Sequence, residues 1–151
     1  MDYAMLTRRA LALAEEEPWH VALLANVSAL LYESMEGLNW AGFYLVRDGQ
    51  LVLGPFQGRI ACIHIAPGRG VCGTAMAEDY TVRVEDVHAF PGHIACDAAS
   101  SSEIVVPIHA NGGVAAVLDL DSPRIGRFTA EDQAGLEALV RALEGVVDFS
   151  A

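Results

Sequence analysis

Trp40-Ala41-Gly42-Phe43-Tyr44-Leu45-Val46 and Gln50-Leu51-Val52-Leu53, with Asp48-Gly49 between them, decide the fold. Aromatic and aliphatic residues fill both runs with a period near two, as strands require. Asp-Gly at the junction suits a two-residue turn, which needs positive φ at both centres. This hairpin opens a sheet. Upstream the period is helical: Leu6, Ala10, Leu13 and Ala14 form one stripe, and Val21, Leu24, Ser28, Leu31 and Met35 another. Pro18 separates them, either ending the first helix or opening the second at its N1 position, and Gly37 is placed as the C′ residue.

Downstream, Ile60 to Ile65 reads as a third strand, and Pro67-Gly68-Arg69-Gly70 as a tight turn into a helix over Val71 to Glu78. Gly68-x-Gly70-x-x-Gly73 matches a dinucleotide fingerprint on paper but lacks the parallel βαβ unit that gives it meaning. Thr81 to Val84 is a short strand, residues 86–102 a long loop, and Glu103 to His109 and Val114 to Asp121 two further strands. Thr129-Ala-Glu-Asp132 starts a last helix in the manner of a capping box. The expectation is one α+β domain over residues 1–151. N-terminal helices occupy 1–37, a mainly antiparallel sheet of about six strands with its loops 38–128, and the C-terminal helix 129–148.

With 151 residues, 53% apolar and 19% charged, the chain can bury a core. Nine basic against twenty acidic side chains give a net charge of −11, and all nine basic residues are Arg. Lacking lysine, it has no Schiff base, pyridoxal-phosphate anchor, P-loop or kinase ion pair. The acidic balance argues against nucleic acid or an anionic membrane as partner. No secretory signal and no apolar run of about 20 residues is visible, so a cytoplasmic location is expected.

Two features carry chemistry. Asp119 and Asp121 are two apart on a strand and share a face with Ala115 and Val117, while Leu118, Leu120, Ala116 and Val114 face the other way. Paired carboxylates on a half-apolar face repel each other and need a cation nearby. The second feature is three cysteines, an odd number that argues against a structural disulfide framework. Cys72 sits at the predicted helix N-terminus, where the dipole favours thiolate. Cys96 lies in the polar loop, three residues after His93. Cys62, between Ala61 and Ile63 on the third strand, is most like a buried structural thiol. A metal centre from Cys62, His64, Cys72, His88, His93 and Cys96 competes, but the set lacks paired C-x₂-C spacing, and no metal is expected.

Asn39 to Leu45, Leu53-Gly54-Pro55-Phe56-Gln57-Gly58, Gly70-Val71-Cys72-Gly73, Phe90-Pro91-Gly92-His93-Ile94-Ala95-Cys96-Asp97, Ser102-Glu103-Ile104-Val105 and Leu118-Asp119-Leu120-Asp121-Ser122-Pro123 together resemble the free methionine-(R)-sulfoxide reductases, small enzymes built on the GAF domain. The resemblance spans roughly residues 39–137 and includes all three cysteines at the family's spacing. It implies a closed pocket for one small molecule and reduction of free methionine (R)-sulfoxide to methionine. Cys96 would attack the sulfoxide sulfur and be left as a sulfenic acid. Cys62 or Cys72 would then close a disulfide that thioredoxin reduces. Glu103, Asp119 and Asp121 match the substrate-binding carboxylates, Glu103 and Asp121 also counting as catalytic, and Trp40 and Tyr44 match the aromatic pocket residues.

The residues suit that chemistry. A sulfoxide becomes electrophilic once its oxygen is protonated or hydrogen-bonded, and a crowded carboxylate cluster supplies a raised-pKa acid. The substrate's ammonium would supply the missing cation, and its carboxylate would draw N–H donors from residues 93–97. Thiols carry both electrons, so no flavin, nicotinamide or metal cofactor is required. A homodimer is an assembly left open. The rival reading is a non-catalytic GAF sensor that binds a small ligand and signals.

Overall fold

In the computed structural model, which describes residues 1–92 and 99–151, all six strands join one antiparallel sheet in the order β3-β2-β1-β6-β5-β4. The strands are β1 Trp40–Arg47, β2 Gln50–Gly58, β3 His64–Ile65, β4 Val82–Val84, β5 Ser102–Ala110 and β6 Gly113–Ser122. The helices are α1 Tyr3–Glu16, α2 His20–Ser34, α3 Gly70–Glu78 and α4 Ala130–Glu144. The α+β architecture is the one expected.

Local chemistry explains the elements. Asp48 and Gly49 take φ of 52° and 79°, the paired positive values that join β1 to β2. Thr129 and Asp132 form a reciprocal capping box at the start of α4. Asp132 also accepts from the Tyr3 hydroxyl at 2.5 Å and from Arg127 Nη1 at 3.2 Å, tying α1 to α4. Pro18 falls between Glu17, the C-cap of α1, and Trp19, the N-cap of α2. It therefore ends α1 and is not the N1 residue of α2. Gly37 lies two residues beyond the C-cap Met35, one position past the expected C′.

The sheet has two apolar faces. Ala41, Phe43, Ile104, Val106, Ile108, Leu118 and Leu120 pack under α1, α2 and α4. Trp40, Tyr44, Val105 and Val117 face the other way, with Leu51, Ile65 and the α3 residues Val71, Cys72 and Ala75. Two expectations change here. The third strand shrinks to His64–Ile65, because only Leu51↔Ile65 and Val52↔His64 pair with β2. Val114 does not share the face of Leu118: the register shifts from Ile108↔Ala116 to His109↔Val114, so Ala115 is an extra residue. This bulge turns Val114 into the second cluster.

Candidate active site

Cross-strand register builds the site row by row. Trp40 on β1 pairs with Asp121 on β6, and Asp121 pairs with Glu103 on β5. In the next row Gly42 pairs with Asp119, and Asp119 with Val105. Paired residues share a face, so three neighbouring strands deliver three carboxylates and an indole to one patch. The N-terminal turn of α3 covers it. The resulting pocket is lined by Trp40, Tyr44, Cys72, Glu103, Asp119 and Asp121, with Arg69, Gly70 and Val71 contributed by the chain entering α3.

The carboxylates are nearly sealed from solvent: Glu103 is 9% exposed, Asp119 5% and Asp121 8%. Like charges packed this closely are costly when ionised. Burial, then the neighbouring Asp119 and Asp121, pushes Glu103 well above the ordinary carboxylate range. Burial also raises Asp119, against hydrogen bonds with Glu103, Cys72 and Asp121 that pull it down. Full ionisation of all three carboxylates at once is therefore disfavoured.

Cys72 is a free, buried thiol whose Sγ donates toward Glu103 Oε2 at 3.8 Å. Burial pushes this thiol well up, and Asp119, Glu103 and Asp121 add to the rise. The thiolate expected at Cys72 from the helix dipole is not favoured here: the position opens α3, but burial and then three acidic neighbours push the thiol the other way.

An aromatic wall closes the other side. Trp40 stacks on Phe56 at 5.0 Å and on Tyr44 at 5.8 Å between ring centres. Its indole N–H donates to the Arg59 carbonyl at 3.1 Å, and the Tyr44 hydroxyl to the Cys62 carbonyl at 3.0 Å. Burial and then Asp119 raise the Tyr44 phenol, which stays protonated as a donor. Both rings thus pin the segment that carries Cys62 to the pocket. Cys62 itself is disulfide-bonded and half-buried outside the strands, which corrects its reading as a buried structural thiol on a strand.

Cys96, the expected nucleophile, lies outside the described residues, as do His93 and the N–H donors expected from residues 93–97. Among the described residues, Cys72, Glu103 and Asp119 present ligand atoms within 4.8 Å of one another and could gather a metal ion. This trio differs from the Cys/His set suggested by sequence, since carboxylates replace the histidines; His64 is exposed on β3. Arg69 and Ser100 line the pocket without having been anticipated. The Gly68-Arg69-Gly70 turn into α3 is the signal that could have pointed to Arg69.

Comparison with known proteins gives the site a context. The GAF domain model matches residues 22–148. A free methionine-R-sulfoxide reductase of Escherichia coli (strain K12) is 58% identical over 145 residues, covering 96% of this chain and 88% of that protein. A free methionine-R-sulfoxide reductase from Neisseria meningitidis, solved in complex with its substrate, superposes with a TM-score of 0.91 at 44% identity, covering 95% of this chain and 86% of that one. An fRMsr of Staphylococcus aureus, also solved with substrate, gives 0.92 at 48% identity, covering 97% and 96% of the two chains. No helix among the described residues is long and apolar enough to cross a membrane.

Proposed function

The chain belongs to the GAF domain family, among the free methionine-(R)-sulfoxide reductases, and from that premise we propose that it reduces free L-methionine (R)-sulfoxide to L-methionine. The observation that carries this reading is the buried Glu103, Asp119 and Asp121 cluster facing the Trp40–Tyr44 wall. It is an acid held ready beside an apolar surface, the combination that a sulfoxide and its S-methyl group require. Glu103 donates a proton to the sulfoxide oxygen, with Asp121 paired across the strands to share the charge left behind. Asp119 takes the substrate's ammonium.

The cysteines supply the electrons. Cys96 sulfur attacks the sulfoxide sulfur, the S–O oxygen passes to Cys96 as a sulfenic acid, and methionine leaves with its sulfur reduced by two electrons. A second thiol displaces the sulfenic oxygen as water and forms an intramolecular disulfide. Thioredoxin, or another dithiol, then reduces that bond and is itself oxidised. Cys62 is the resolving thiol in this account. Its support is the disulfide bond at Cys62 beside a protonated, free Cys72.

Thiol blocking and chelation, compared in one assay with free methionine (R)-sulfoxide and a dithiol reductant, test the chemistry. Blocking the cysteines should abolish turnover, and chelation should leave it intact. Activity lost on chelation and restored by the metal would replace thiol-only chemistry with a metal at Cys72, Glu103 and Asp119. Saturable ligand binding without turnover by the untreated protein would make it a non-catalytic GAF sensor.

A further inference from the structure

We propose that residues 59–64, with Ile60 and Ile63 on either side of Cys62, form the docking surface for a protein dithiol that reduces the Cys62 disulfide, and that this partner presents an apolar thiol site on an acidic surface. The inference rests on the reading that Cys62 cycles between thiol and disulfide, and it assigns the surface through which the electrons enter.

Three observations converge. The first is apolar exposure beside the reactive sulfur. Ile60 is 91% exposed, the most of any large apolar side chain among the described residues, and Ile63 is 59% exposed. Single exposed apolar side chains are ordinary. Here two branched ones bracket the cysteine that is disulfide-bonded.

The second observation is charge. The chain carries −11, yet residues 49–77 contain no Asp or Glu. Their Arg59 and Arg69 are exposed, and neither forms an ion pair among the described residues. A cationic island on an otherwise acidic protein steers an acidic partner to that spot. A small neutral dithiol gains nothing from it.

The third observation is presentation. The segment is held from behind by three of its carbonyls. That of Arg59 accepts from the Trp40 indole at 3.1 Å, that of Cys62 from the Tyr44 hydroxyl at 3.0 Å, and that of Ile63 from the Leu53 amide at 2.8 Å. The strand that follows, β3, ends the sheet. A backbone fixed in this way offers its exposed side chains at little ordering cost to a partner.

In the exchange, a partner thiolate bonds to Cys62 Sγ and the intramolecular S–S bond breaks, its other sulfur leaving as thiolate. The partner's second thiolate then displaces Cys62. The partner departs as a disulfide, and two electrons and two protons stay on this chain.

Reduction of the oxidised protein, followed by quenched thiol counting, tests the surface with no sulfoxide present. The probes are an acidic thioredoxin and dithiothreitol, a small neutral dithiol. Thioredoxin should reduce wild type at least about a hundredfold faster than dithiothreitol at equal concentration. Its rate should fall about tenfold between about 0.01 M and about 1 M salt. Ile63→Ser should slow thioredoxin about fivefold. Arg59→Glu should slow it about tenfold and flatten the salt dependence, and Arg59→Lys should restore both. Dithiothreitol rates should stay at the wild-type value in all three variants. Equal slowing with both reductants, an unmoved thioredoxin rate, or no reducible disulfide at Cys62 would overturn the surface. An unmoved rate with Ile63→Ser splitting a wild-type dimer would overturn it too, by giving this face to a second copy of the chain. Sulfoxide turnover is scored separately: a protein reduced through this surface that leaves the sulfoxide unreduced keeps the surface and loses the reductase reading.

Discussion

Cys72 Sγ lies 3.8 Å from Glu103 Oε2, and both groups are buried beneath the first turn of α3. A thiol held against an acid cluster stays protonated, so the cysteine at the helix start is the one least suited to attack. Alkylation of the fully reduced protein near neutral pH should therefore label Cys72 last, as mapped by peptide mass spectrometry. In a single turnover without thioredoxin, Cys62→Ser and Cys72→Ser should each still release about one methionine per chain, while Cys96→Ser should release none. A full yield from Cys96→Ser with none from Cys72→Ser would reverse the assignment.

The carboxylates should act as one unit. Asp121→Asn and Glu103→Gln preserve shape but remove a proton site, and each should lower kcat by roughly a hundredfold with the fold intact. Because the two side chains are direct cross-strand neighbours, the double variant should lose far less than the product of the single losses. Full activity in both single variants would return the pair to a structural role.

A glycine in α4 is required by its neighbour. A Cβ on Gly135 would lie 2.2 Å from Tyr3 Cγ, and Tyr3 is held by its hydrogen bond to Asp132. Gly135→Ala should therefore destabilise by about 1–3 kcal/mol, although alanine favours an open helix by about 1 kcal/mol. A urea midpoint that falls at constant slope checks this, and a rise would contradict it.

His109 ties the ends of two helices to the sheet. Its Nε2 lies 2.6 Å from Asp79 Oδ1 and its Nδ1 2.7 Å from Glu144 Oε2. The hydrogen bond to Asp79 is the largest cause raising its pKa, with Glu144 adding to it and partial burial opposing. A raised folded-state pKa means the stabilisation is complete below the unfolded value of about 6.5 and is lost as pH rises through the folded value. The difference in Tm between wild type and His109→Gln should be widest near about pH 6 and shrink toward about pH 9. A gap that widens with pH would contradict the bridge.

Much of this was legible in the chain because it depends on short-range chemistry. Asp48-Gly49 could turn only one way, Thr129 and Asp132 cap within one helical turn, and a two-residue period puts Asp119 and Asp121 on one face. What was not legible depends on partners distant in sequence. Ile60 to Ile65 has strand composition, yet pairing with β2 reaches only His64 and Ile65. Val114 obeys alternation until the bulge opposite Ile108 and His109 inverts it. Cys72 sits at a helix start, but burial against the sheet, and then the acids of β5 and β6, push its thiol up. Arg69 looked like part of a turn because nothing in the sequence placed it in the lining of the pocket that holds the carboxylates.

The most direct measurement of the central claim is the methionine released, with a dithiol reductant, from three substrates at equal concentration: free methionine (R)-sulfoxide, free methionine (S)-sulfoxide and a peptide containing the R-sulfoxide. A free methionine-(R)-sulfoxide reductase should turn over the free R epimer alone. Comparable reduction of the S epimer or of the peptide, or no reduction of the free R epimer, would contradict it.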